Sequence, residues 1–119
     1  MSREDLETKV DLAFLAAFYG GMLTEKQRQV LSLHCEEDLS LGEIAQEVGI
    51  SRQAVHETLN RASSRLREME GAMGAAGRFR RMESGLENAL AAIRERDYER
   101  AERVLTGLLA LDREENNGI

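Results

Sequence analysis

Between residues 51 and 65 the chain reads SRQAVHETLNRASSR, and its polar side chains are of the kinds that hold and read nucleic acid. Gln53 and Asn60 carry amides that pair bidentately with adenine, while Arg52, Arg61 and Arg65 carry guanidinium groups suited to guanine or to phosphate oxygens. His56 and Glu57 stand among them, and Ser51 lies directly ahead. Through the same stretch Val55, Leu59, Ala62, Leu66 and Met69 recur at spacings of four, three, four and three, the period of a helix with one buried face. That ridge fixes the inward side and turns Arg52, Gln53, His56, Glu57 and Asn60 toward solvent or a ligand. The expected contact set is therefore Ser51, Arg52, Gln53, His56, Glu57, Asn60, Arg61 and Arg65, with the arginines forming a basic edge along phosphates and Gln53, His56 and Asn60 facing bases. The competing reading leaves Arg52, Arg61, Arg65 and Arg67 as solvated helix surface, those in the last turns favoured by the negative end of the helix dipole.

Three elements must position this helix. Ser51 is placed to cap it, and Gly49 just before allows the left-handed backbone that ends a preceding helix. That preceding helix opens at Ser40 with Glu43 three residues on, a capping box, and buries Leu41, Ile44, Ala45 and Val48. A second capping box, Thr24 with Gln27, opens an earlier helix whose apolar side is Val30, Leu31, Leu33 and Cys35. A short helix, a tight turn and a longer helix over residues 40 to 67 make a helix-turn-helix. Ahead of it, residues 5 to 20 carry Leu6, Val10, Phe14 and Ala17 on one stripe and Leu12, Leu15, Phe18 and Tyr19 on another. A helix so broadly apolar either lies in its own core or covers a face of a second chain; Gly20 and Gly21 end it.

Behind the helix-turn-helix, GAMGAAG at 71–77 sets glycines at three-residue intervals, each costing about 1 kcal/mol in a helix interior relative to Ala. It reads as a hinge or a linker. Beyond it Phe79, Met82, Leu86, Leu90 and Ile93 form one helical stripe and Tyr98, Ala101, Leu105, Leu108 and Leu109 another, with Asp97 placed to cap the second helix. The expected organisation is a helix-turn-helix domain with its packing helix at 1–70, a hinge at 71–77 and a helical hairpin at 78–119. The hairpin resembles a single tetratricopeptide-type helix pair, with Ala101 and Leu109 at positions such repeats favour, and one such pair cannot bury its own apolar faces.

Composition bounds the rest. Of 119 residues 42% are hydrophobic and 32% charged, with no Pro and no Trp, and Ala, Leu, Glu and Arg dominate, so the chain is expected to be folded and all-α. The net charge of −6 divides as −2, −3 and −1 over residues 1–23, 24–70 and 71–119, which excludes a general nucleic-acid sponge but permits a local basic face. Three or four phosphate contacts per monomer give weak binding, so a nucleic-acid role implies a homodimer. His34 and Cys35 point about 100° apart on a helix and His56 lies far away, so no metal is expected. Without a phosphate loop, a nucleophile elbow or a positioned carboxylate pair, neither an enzyme nor a cofactor is expected. The longest apolar run, LAFLAAFY, is too short for a membrane span, and the lone cysteine suits a reducing cytoplasm.

Residues 24 to 68, with LTEKQRQVL, SLGEIAQEVGIS and LNRASSRLR, resemble region 4 of bacterial sigma factors. No region 2 accompanies them, and they follow a helix ending in AFYGGM. From about residue 8 to 70 the chain instead is identified as a member of the YlxM-type family of small bacterial helix-turn-helix proteins. That resemblance implies a DNA-binding regulatory protein associated with the signal recognition particle pathway, whose components become candidate partners; DNA ranks ahead of RNA by analogy of fold. The rival expectation is a protein-interaction adaptor that keeps the scaffold without binding DNA, its hairpin and first helix carrying the function.

Overall fold

A computed structural model describes the backbone of residues 3–117 and the side chains of residues 8–111 and 113. The protein is all-α: α1 (Arg3–Tyr19), a 3-10 turn (Gly20–Met22), α2 (Glu25–Cys35), α3 (Leu41–Val48), α4 (Arg52–Met73), α5 (Ala75–Arg94) and α6 (Tyr98–Asn117). The chain divides into two compact units, residues 1–76 and 77–119.

In the first unit the helix boundaries follow their capping residues. Thr24 accepts from the Gln27 backbone N–H at 3.1 Å while the Gln27 side chain accepts from Thr24 N–H at 3.0 Å. Ser40 and Glu43 repeat the exchange at the same distances. At the turn between α3 and α4, Gly49 takes φ 77°, a left-handed conformation that a Cβ would strain, and Ser51 Oγ accepts from Ala54 N–H at 3.0 Å. The turn therefore occupies only residues 49 to 51.

Helix α4 is the axis of this unit, since α1, α2 and α3 all pack on it. Val55, Ala62 and Leu66 are fully buried along its inner side, with Leu59 and Met69 nearly so, meeting Val30 and Leu31 of α2 and Ile44 of α3 in one core. The two apolar stripes expected on α1 resolve into an inner and an outer side. Leu12 and Tyr19 are buried, Phe14, Leu15 and Ala16 pack against the core, and Val10, Ala17 and Phe18 are exposed. The Leu6 side chain lies outside the described residues. Thus α1 spends most of its apolar surface on its own unit.

The end of α4 is tied down by a polar cluster that periodicity could not show. Tyr19 donates its hydroxyl proton to Glu70 Oε1 at 2.5 Å and accepts from Ala75 N–H at 3.0 Å, and the same Glu70 oxygen accepts from Ala76 N–H at 3.1 Å. Two otherwise orphan donors at the start of α5 are thereby satisfied. Burial, with the Glu70 carboxylate alongside, raises the Tyr19 pKa above its ordinary value and keeps the phenol a donor. Tyr19→Phe leaves a part-buried carboxylate and a backbone N–H short of a partner, and should cost about 2 kcal/mol in urea unfolding with faster amide exchange at Ala75. Unchanged stability would show the cluster to be solvated.

The stretch 71–77 holds the break between α4 and α5 and the boundary between the two units. Helix α4 runs through Gly71 to Met73, Gly74 alone adopts a left-handed φ of 64°, and α5 begins at the next residue. Gly71 is tolerated because the surrounding turns are held by Met69 and by Glu70.

In the second unit α5 and α6 form a hairpin turned at Arg96, which takes a left-handed φ of 61°. Asp97 caps α6, accepting from Arg100 N–H at 3.1 Å as its position predicts. The helices do not meet through Phe79, Leu86, Leu90, Ile93, Tyr98, Leu105 and Leu109, which are exposed. They meet through small residues: Gly85, Ala89, Ala92 and Ala101 are buried, and a Cβ at Gly85 would overlap the Leu108 side chain. Close approach over these positions leaves the bulky residues outside.

Candidate nucleic-acid interface

The eight residues of the expected contact set, Ser51, Arg52, Gln53, His56, Glu57, Asn60, Arg61 and Arg65, are all solvent-exposed. Seven lie on α4 and Ser51 is its cap. At 100° per residue, Gln53, Glu57 and Asn60 lie opposite the Val55–Leu66 ridge, in the middle of the outward face. The arginines do not form one edge. Arg52 and Arg61, nine residues apart, sit about 180° from each other, on opposite flanks of that face. His56 shares the Arg52 flank and Arg65 the Arg61 flank. The expected single basic edge is therefore replaced by basic residues on both sides of a polar strip, because a nine-residue step is two and a half turns.

Local contacts hold several of these groups. Asn60 Nδ2 and His56 Nε2 are 3.3 Å apart, one helical turn from each other. Arg65 pairs with Glu68 at 3.8 Å, an exposed i,i+3 contact of small energetic weight. Ser51 Oγ is engaged as the cap, and Thr58 Oγ1 turns inward to donate to the Ala54 carbonyl at 2.7 Å. Arg67, left out of the expected set, lies seven residues past Asn60 and on nearly the same line of the helix, exposed. Its heptad spacing from Asn60 was the available signal.

The helix ends differ in what they offer an anion. At α3 the Glu43 carboxylate closes the positive end, and its hydrogen bonds to Ser40 hold its pKa below the usual carboxylate value. At α4 there is no acidic residue in the first turn, and Arg52 is the first residue of the helix. The positive end of the dipole and a guanidinium therefore coincide at the tip of α4, which is the end a groove-reading helix presents.

The other chemistry-bearing residues lie elsewhere. Burial raises the Cys35 thiol pKa and lowers that of His34, whose Nδ1 is buried without a partner. No group of three or more His, Cys, Asp or Glu side chains able to hold a metal occurs among the described residues. None of the described helices is long and apolar enough to cross a membrane.

Residues 6–103 match the family described as "Putative helix-turn-helix protein, YlxM / p13 like", UPF0122. The chain is 38% identical over 99 residues to the UPF0122 protein of Symbiobacterium thermophilum, covering 83% of this chain and 92% of that one. It is 36% identical over 88 residues to the protein of Halalkalibacterium halodurans, covering 74% and 81%. A UPF0122 protein of Desulforamulus reducens is 47% identical over 62 residues, 52% of this chain and 53% of that relative. The likeness read from the sequence as ending near residue 70 thus extends through α5 into α6. With the helix-turn-helix built as described and the match spanning both units, the chain belongs to the UPF0122 family of YlxM/p13-like helix-turn-helix proteins.

Proposed function

We propose that this chain binds nucleic acid, duplex DNA ahead of RNA, through the outward face of α4, and acts as a regulator rather than as an enzyme. The supporting observation is the composition of that face: Gln53, His56 and Asn60 in a polar strip, Arg52 and Arg61 on its two flanks, and an α4 N-terminus free of acidic residues in its first turn. A helix inserted in a major groove has a phosphate backbone on each side, so flanking guanidiniums suit it better than a single basic edge. The Gln53 and Asn60 amides are the base-reading groups, Arg52, Arg61 and Arg65 the phosphate-holding groups, and Glu57 an acceptor for a cytosine amine. Ser51 acts by holding the helix start. By family resemblance the regulation concerns the signal recognition particle pathway, in the cytoplasm.

The second reading, an adaptor that binds protein alone, draws on the net charge of −6 and on Glu43 closing the end of α3 against phosphate. Backbone amide NMR separates the two. Adding duplex DNA at low salt should shift Arg52 through Arg61 and leave α6 unmoved. Shifts confined to other elements, or none, would reject the α4 interface.

A further inference from the structure

The hairpin leaves bare the residues that would ordinarily seal it. On α5, Phe79, Leu86, Leu90 and Ile93 are each 45–50% exposed, and on α6 Tyr98, Leu105 and Leu109 are 38–63% exposed. These two sets share one side of the helix pair. On α5 the stripe lies about a quarter turn from the Gly85–Ala89–Ala92 line that faces α6, and on α6 Tyr98, Leu105 and Leu109 lie a similar step from the Ala101–Leu108 line. Because the helices are antiparallel, both steps lead to the same face.

From this geometry we infer that the α5–α6 face is a homodimer surface, each copy's hairpin covering the other's to form a four-helix layer pair. The occupant is set by area and charge. A half-exposed Leu, Ile, Phe or Tyr leaves about 100 Å² bare, so the seven side chains offer on the order of 700 Å² per copy, close to the roughly 800 Å² each partner gives to a standard stable interface. A contiguous apolar patch of that size exceeds what monomers ordinarily expose. Its rim carries both signs, Glu83, Glu87 and Glu102 with Arg94, a small net charge that neither demands an oppositely charged partner nor bars a second copy. The surface stands independently of the nucleic-acid reading, and it places dimerisation on the hairpin rather than on α1, whose apolar side is largely spent in its own core.

Analytical ultracentrifugation of the full chain tests this. The expected species at micromolar concentration has twice the 13.3 kDa chain mass. Leu86→Gln with Leu90→Gln should weaken self-association by about 100-fold with helicity retained, because central apolar anchors dominate such interfaces. Should that variant lose helicity, Leu86→Ala with Leu90→Ala, better suited to a helix, decides the matter by the same readout. A wild-type monomer overturns the inference, whether its stripe stays bare, is covered by the rest of the same chain or is taken by a different protein. So does a dimer indifferent to both variants.

Discussion

Ile44→Ala is expected to lower the unfolding free energy by about 3 kcal/mol and to abolish nucleic-acid binding at temperatures where the wild type binds. Ile44 is fully buried and is the only fully buried side chain of α3, so its removal leaves a cavity in the core that α3 shares with α2 and α4. An eight-residue helix has no stability of its own, since isolated helices shorter than about a dozen residues are marginal in water. The docked position of α3, and with it the three-residue turn that orients Arg52, rests on this contact and on the Ser40 box. Ile44→Val, which removes one methylene, should cost only about 1 kcal/mol and keep binding. Urea unfolding of both variants measures the difference; equal, small losses would mean that α3 repacks without Ile44.

Replacing Arg52 and Arg61 together by alanine carries the second large expectation. Both are exposed, so helicity and stability should stay within about 0.5 kcal/mol of wild type. Affinity for duplex DNA should fall by about 10- to 100-fold at low salt, and the log–log salt slope should lose about 2, since each phosphate contact contributes roughly one to that slope. Because the two side chains lie on opposite flanks of α4, each single variant should remove about half of the effect, with near-additive free energies at separated sites. If one substitution alone accounts for the whole loss, only one flank meets phosphate. If the double variant binds as the wild type does, the contact face lies elsewhere.

Most of the first unit was legible from residue type and spacing. Helix caps are local: a side-chain oxygen closes on the backbone N–H three residues ahead whatever lies beyond, so the boxes at Thr24 and Ser40 and the single caps Ser51 and Asp97 declared their helices directly. The α4 ridge was equally plain, because a two-turn apolar period has one solution in a helix. What escaped depends on contacts between distant residues. Tyr19 and Glu70 are fifty-one positions apart, and no local pattern announces the hydrogen bond that ties the end of α4 to α1. In the hairpin the stripes alone did not show the seam, which Gly85 and the alanines form by letting the helices approach closely against Leu108. Opposite placement of Arg52 and Arg61 was open to arithmetic from the outset, and reading the arginines as one edge missed it.

Fluorescence anisotropy with a labelled DNA duplex over a salt series measures whether the exposed face of α4 engages phosphates and bases. Measurable binding at low salt is expected, with a log–log slope of about −3 to −4 for each copy of the chain bound, as three or four neutralised phosphates per copy require. No binding at the lowest salt, or binding that does not change as salt rises, would contradict that engagement.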